Sequence, residues 1–174
     1  MSLKPPISAN DQSTGNISSP VVLVEFGDYQ CPHCGHAHPL IKKLLKEKGK
    51  DFHFVFRNFP LQEAHPAAFM AAVSAEAAAK QGKFWEMHDM IFEHQQKLTG
   101  FGAFIDYAEK IGLDLQGFAA DVKSDDIVKK VEADFESGVR SGVNGTPSFF
   151  INGTKYNGNW EEVDLLEYLR SLEG

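Results

Sequence analysis

Cys31 and Cys34 are the only cysteines in the 174 residues, and they enclose Pro32 and His33. Two thiols at this spacing can close a small disulfide ring and open it again, which points to a redox dithiol. The pair directly follows the apolar run Val21 to Phe26, where a strand would hand over to a helix. A thiol at a helix N-terminus meets backbone N–H groups that lack an intrahelical partner. Those donors and the positive end of the helix dipole favour thiolate over thiol. Pro32 then takes the first helical position, where its fixed φ suits the helix and its missing N–H costs nothing. Cys31 is thus expected as the exposed, activated nucleophile at the cap, and Cys34, one turn inside, as the resolving thiol. A protonated His33 between them would donate to a Cys31 thiolate and stabilise it.

A second chemical signal is Glu25, an acid inside the apolar run and six positions before Cys31. Burial raises the pKa of a carboxyl, so Glu25 could exchange a proton with Cys34 as the resolving thiol reacts. The alternative is a structural acid paired with a lysine. A reading from another class also exists, because Cys31, Cys34, His36 and His38 are zinc-ligand types within eight residues. On a helix, however, Cys34 and His38 share a face while His36 points away from it, so one tetrahedral site would require an unwound helix. No metal is therefore expected, and the only redox group is the Cys31–Cys34 disulfide itself, without an added cofactor.

Elements that would position these groups follow from periodicity. Val21 to Phe26 reads as a buried strand. Residues 32 to 48 place Cys34, Ala37, Ile41, Leu44 and Leu45 on one helical stripe, opposite the lysines. Pro39 falls inside that helix and removes a hydrogen bond to the carbonyl of residue 35, with Gly35 leaving room for the resulting kink. Phe52 to Phe59 alternates like a strand. From Glu63 to Ser141 the period becomes helical, ending in a helix that starts at a Ser124 cap, carries Ile127, Val128, Val131, Phe135 and Val139 on one face, and stops at Gly142. Asn152-Gly153 predicts a two-residue hairpin turn, and Glu161 to Leu172 a closing amphipathic helix.

Composition narrows the possible partners. A net charge of -7 and no basic cluster beyond the lysines at 42, 43, 46, 48 and 50 argue against nucleic acid. No apolar stretch approaches the roughly 18 residues of a membrane span, and the polar first twenty residues hold no signal-peptide core. Residues 1–19, rich in Ser, Asn, Pro and Gly, read as a linker or extended arm.

Val21 to Phe26, the segment Gly27-Asp28-Tyr29-Gln30-Cys31-Pro32-His33-Cys34-Gly35 and the distant Gly145-Thr146-Pro147 together resemble the DsbA-like thiol-disulfide oxidoreductases of the thioredoxin superfamily. Arg57-Asn58-Phe59-Pro60-Leu61, His65-Pro66 and Gly82-Lys83-Phe84-Trp85-Glu86-Met87-His88-Asp89 extend the resemblance to about residues 20–172. It implies an α/β thioredoxin fold formed by residues 20–62 and 143–172, with an inserted all-helical domain at 63–142. It also implies that Pro147 is a cis-proline facing the dithiol, with Thr146 presenting its backbone to a substrate peptide and its side chain to the sulfurs. The family carries an acid at the position of Glu25, and its Pro-His pair occurs in strongly oxidising members; Pro39, by contrast, matches the kink proline of thioredoxin itself.

The expected function is therefore a dithiol oxidase that donates its disulfide to folding or secreted polypeptides. A reductase or isomerase of the same fold is the alternative. Expected partners are cysteine-containing polypeptides and a recycling oxidase, in the family a membrane quinone-linked protein. The resemblance implies a periplasmic or otherwise extracytoplasmic location, with any leader lying outside this sequence. Isomerases of the superfamily carry a dimerisation region, for which residues 1–19 are too short and polar, so a monomer is expected.

Overall fold

The computed structural model describes residues 1–160 and 164–172. The chain runs through strand β1 (Gln12–Gly15), β2 (Val22–Gly27), helix α1 (Pro32–Lys48) and β3 (His53–Asn58). Helices α2 (Ala68–Ala79), α3 (Phe84–Glu93), α4 (Phe101–Lys110), α5 (Leu115–Asp121) and α6 (Asp125–Ser141) come next, then β4 (Ser148–Ile151), β5 (Thr154–Lys155) and α7 (Asp164–Ser171). Glu161 to Val163, expected to open the last helix, lie outside the described residues.

The strands form one sheet in the order β1-β3-β2-β4-β5. Only β2 and β3 run parallel, joined through α1; the other neighbours are antiparallel. This is the thioredoxin-like α/β fold, with α2 to α6 placed between β3 and β4. Because side chains alternate across a strand, β2 serves two cores. Val24 and Phe26 pack with Val55, Phe59 and Phe150 on one face, while Leu23 joins Phe54, Phe56, Ile41 and the helical layer on the other. Glu25 shares the parity of Leu23 and therefore faces α1.

Helix α1 has the expected bounds, continues through Pro39, and buries Cys34, Ala37, His38, Ile41 and Leu44. At Gly35 a Cβ would also meet the side-chain amide of Gln95. Helix α6 also has its expected ends, with Ser124 as the N-cap residue and Gly142 in the left-handed conformation at its end. Two details differ. The Ser124 hydroxyl donates backwards to the Asp121 carbonyl at 2.6 Å instead of accepting from the helix, and Val139 is 56 % exposed instead of buried. The Asn152-Gly153 turn joins β4 to β5 with positive φ at both residues, the geometry of a type I′ hairpin.

Strand β1 lies within the segment expected to be a linker or arm. It pairs antiparallel with β3, and its polar sequence is compatible with an edge position. Arg57 anchors this arm. Its guanidinium donates to both Asp11 carboxylate oxygens at 2.7 and 3.0 Å, to the carbonyls of Pro5 and Pro6, and to the Ser137 hydroxyl of α6. Burial pushes the Asp11 pKa up, but the hydrogen bonds and charge of Arg57 outweigh it and leave the group below its ordinary value. A second buried cluster joins sheet to helices: the Asn58 side chain donates to Glu76 of α2 at 2.8 Å and to Asp134 of α6 at 3.0 Å. Lys130 closes it with a 2.6 Å ion pair to Asp134.

Candidate active site

Strand β2 ends at Gly27, and the next four residues carry the chain to the N-cap of α1. Cys31 is that cap residue, with extended φ and ψ of -69 and 123°, and Pro32 opens the helix. The connecting turn is built on Asp28, a fully buried residue that sequence reasoning assigned no role. Its carboxylate accepts the N–H groups of Gln30 (2.8 Å) and Cys31 (3.2 Å) with one oxygen. The other oxygen holds the Leu61 N–H (2.9 Å) and His65 Nδ1 (2.8 Å). Asp28 thus ties the dithiol loop to the loop after β3. Its signal was an Asp three positions before a helix cap, where this side chain often hydrogen-bonds backbone N–H groups.

Gln95, also unforeseen, steadies the same loop from the far side. Its side-chain amide donates to the carbonyls of Tyr29 (3.0 Å) and Cys31 (2.7 Å). Nothing in the local sequence distinguishes Gln95 from Gln96, since only the tertiary path brings it to Gly35. Tyr29 is buried, with its hydroxyl 2.9 Å from His88 Nδ1 and its ring against Phe56 and Phe92.

Both cysteines are free thiols. Cys34 is fully covered, and its sulfur accepts the Asp28 N–H at 3.4 Å. Burial, then the hydrogen bond from its thiol to Cys31, pushes its pKa well above the ordinary thiol value. Cys31 differs from the expectation of an exposed cap, being only 5 % exposed. The covering element is the loop before β4, whose Thr146 carbonyl lies 3.4 Å from Cys31 Sγ. The Cys31 pKa is nevertheless lowered from 9.0 to about 5. The hydrogen bond from Cys34 contributes most, opposed by burial and assisted by the Thr146 side chain and the backbone N–H groups of Cys34 and His33. His33 itself is exposed. Its main-chain N–H is one of the groups that lower the Cys31 pKa, a contribution that does not depend on the imidazole.

Residues Thr146 and Pro147 are joined by a cis peptide bond. Register explains their position: Ser148 of β4 pairs with Phe26 near the end of β2, so the preceding loop is carried to the turn that bears Cys31. The Thr146 hydroxyl is buried and makes no well-formed hydrogen bond while Cys31 is a thiol, although its position already favours the Cys31 thiolate. This leaves it free to donate to a thiolate.

Glu25 lies between Phe149 of β4 and Phe56 of β3 in the sheet register. Burial among these rings, followed by repulsion from an ionised Cys31, raises its pKa from 4.5 to about 8. Among the described residues no lysine or arginine is paired with it, so the lysine-paired alternative has no support. The four-ligand zinc reading fails on geometry. His36 is exposed, whereas His38 is buried with its Nε2 engaged by Asp89 at 2.8 Å. Two clefts flank the dithiol. One of about 320 Å3 is lined by Thr146, Pro147, Phe149, Tyr156 and Trp160 among others. The second, of about 280 Å3, is lined by Gln30, Pro32, His65, Gln95 and Thr99 among others.

A thioredoxin-type sheet that sets a low-pKa thiol at a helix cap, above a buried partner thiol and opposite a cis-proline loop, defines a thiol-disulfide oxidoreductase. The chain belongs to the thioredoxin family, whose model matches residues 8–170, and its place is among the DsbA-like members. It resembles a thioredoxin-like oxidoreductase from Silicibacter pomeroyi with a TM-score of 0.81 and 25 % identity, over 96 % of this chain and 95 % of that one. The thiol-disulfide exchange protein α-DsbA2 of Wolbachia pipientis gives a TM-score of 0.82 at 26 % identity, over 95 % of this chain and 88 % of that one. Oxidised BdbD of Bacillus subtilis, at 24 % identity, shares the fold with a TM-score of 0.83, over 99 % of this chain and 97 % of that one.

In sequence, the chain is 39 % identical over 171 residues to the Na+/H+ antiporter NhaA 1 of Mycolicibacterium vanbaalenii. The match takes in 97 % of this chain and 28 % of the relative. The chain therefore spans about a quarter of the length of such curated relatives. Among its described residues no helix is long and apolar enough to cross a membrane.

Proposed function

We propose that this protein is a dithiol oxidase, which passes the Cys31–Cys34 disulfide to cysteine-containing polypeptides outside the cytoplasm. The observation that carries the reading is the asymmetry of the pair: Cys31 has a pKa of about 5, while that of Cys34 is pushed far up. A thiol with pKa 5 is almost wholly ionised at pH 7. The two units between them stabilise the reduced form by about 3 kcal/mol, which corresponds to about 60 mV for a two-electron couple. A stabilised reduced form makes its disulfide an oxidant.

In the forward reaction a substrate thiolate attacks the Cys31 sulfur of the disulfide. The Cys31–Cys34 bond breaks, a mixed disulfide forms at Cys31, and Cys34 leaves as a thiolate. Because Cys34 is a poor leaving group, protonated Glu25 is the acid that supplies its proton. The second substrate thiolate then attacks the substrate's own sulfur in the mixed disulfide and expels Cys31, a good leaving group at its low pKa. Two electrons pass from the substrate dithiol to the enzyme. A partner must later remove them; a membrane quinone-linked oxidase meets that requirement.

The backbone of Thr146 and Pro147 and the cleft of mixed polar and aromatic lining beside them suit an extended peptide. Thiol-disulfide exchange is proposed for this stretch of about 170 residues alone, and the transport named for the longer relatives is not extended to it. The test is to mix the oxidised protein with a reduced, unfolded polypeptide carrying two cysteines, without any other oxidant. One substrate disulfide formed per enzyme disulfide consumed supports the reading. No transfer, with the enzyme disulfide intact, refutes it.

A further inference from the structure

We propose that His38, His88 and Asp89 form a binding site for a divalent transition metal of the zinc class, between α1 and α3. One nitrogen from each imidazole and one Asp89 oxygen lie within 4.8 Å of one another. They border a cavity of about 130 Å3 that also touches Glu25 and Lys42. Two imidazoles and a carboxylate are a ligand set that such metals accept, with a water completing the shell in the space available.

The surroundings are organised as those of metal ligands usually are. A ligating histidine generally has its second ring nitrogen held by a hydrogen bond that fixes the ring and the tautomer. His88 Nδ1 lies 2.9 Å from the Tyr29 hydroxyl, and in the tautomer whose Nδ1–H donates to that oxygen the Nε2 lone pair is left for the metal. A ligating carboxylate is likewise held through its other oxygen, and Lys42 binds Asp89 Oδ2 at 2.8 Å while Oδ1 faces His38. His88 is enclosed by Phe56, Phe84, Trp85 and Phe92. His38 lies four residues after Cys34 on the same face of α1, so an ion here would pin the active-site helix to α3 from below.

Neither cysteine belongs to the cluster or lines its cavity, and the test can exclude them. Zinc(II) and cobalt(II) are titrated into protein whose Cys31 and Cys34 are joined as a disulfide, followed by calorimetry and by visible absorption. The expected result is one metal per chain and cobalt d–d bands without sulfur charge transfer. His38→Gln and Asp89→Asn should each lower affinity by about 100-fold or more, at or beyond the upper end of what loss of an outer-shell partner costs, while His36→Gln should leave it unchanged. Failure of the oxidised protein to bind either metal, binding confined to the reduced protein, or binding that survives both His38→Gln and Asp89→Asn would overturn the proposal.

Discussion

The sulfur of Cys31 lies 3.4 Å from the main-chain oxygen of Thr146, a residue 115 positions later. Register produces this meeting, because β4 runs antiparallel to β2 and delivers its leading loop to the turn above α1. The same loop brings to the site a buried hydroxyl that makes no well-formed hydrogen bond while Cys31 is a thiol. A carbonyl that accepts from the thiol and a hydroxyl able to donate to the thiolate therefore sit side by side. The balance between them is open to mutation.

Thr146→Val keeps the shape and removes the hydroxyl. A hydrogen bond to a charged group contributes about 1.5–3 kcal/mol, so the Cys31 pKa should rise by about one unit or somewhat more. The thiolate, and with it the reduced form, is then less stable, and the couple should become less oxidising by about 30 mV or more. Titration of thiolate absorbance near 240 nm checks the pKa. An unmoved titration would remove the hydroxyl from the mechanism.

The two thiols have unequal tasks. Cys31→Ser should abolish exchange with peptide disulfides and dithiols. Cys34→Ala should accumulate mixed disulfides through Cys31, visible as a mass increase that reductant reverses. Trapping by Cys31→Ser through Cys34 would invert the assignment.

Asp28→Asn tests the turn that carries the dithiol. One Asp28 oxygen serves Leu61 and His65 while the other serves Gln30 and Cys31. An amide can keep an oxygen on one side only, so donors face its NH2 group on the other. The expected loss is about 2–3 kcal/mol, the cost of buried donors left unsatisfied. Urea unfolding measures it, and a change under 0.5 kcal/mol, roughly the range of a neutral surface substitution, would contradict the account.

Stability should depend on pH differently in the two redox forms. The folded-state pKa of Glu25, about 8, lies above its ordinary 4.5. Its contribution is present below pH 4.5 and is lost as pH rises towards 8, at up to about 1.4 kcal/mol per unit. Cys31 runs the other way in the reduced protein, since its folded pKa of about 5 lies below 9.0. Its contribution grows as pH rises from 5 towards 9. In the oxidised protein Cys31 carries no charge and burial alone raises the Glu25 pKa, so that form should lose stability as pH rises above 4.5 with no offsetting gain from Cys31. The reduced protein should stay nearly level between pH 5 and 8, and Glu25→Gln should flatten the oxidised curve. Parallel curves for the oxidised and reduced proteins would exclude this coupling.

The strand-to-helix handover, the bounds of α1 and the Asn152-Gly153 hairpin were legible because their signals are local: an apolar run, a proline at the first helical turn, and a dipeptide that tolerates positive φ. Strand β1 was not, because Gln12 to Gly15 carry no apolar alternation, and their pairing depends on β3 and on the grip of Arg57 on Asp11. The dithiol, Glu25 and the Thr146-Pro147 pair could be named from residue type and resemblance. Gln95 and the His38–Asp89 contact could not, since each acts across a long sequence separation that only the folded path closes. Asp28 had a local signal for its bonds to Gln30 and Cys31, but none for its bonds to Leu61 and His65. The error about Cys31 exposure has the same origin, because the loop that covers it arrives from the far end of the chain.

The reduction potential of the Cys31–Cys34 couple, measured by equilibration with glutathione redox buffers at pH 7, tests the central claim most directly. A stabilised Cys31 thiolate predicts a value well above the roughly -270 mV of thioredoxin, in the range from about -180 to -120 mV occupied by dithiol oxidants. A value near -270 mV would contradict the oxidase reading and make the protein a reductase.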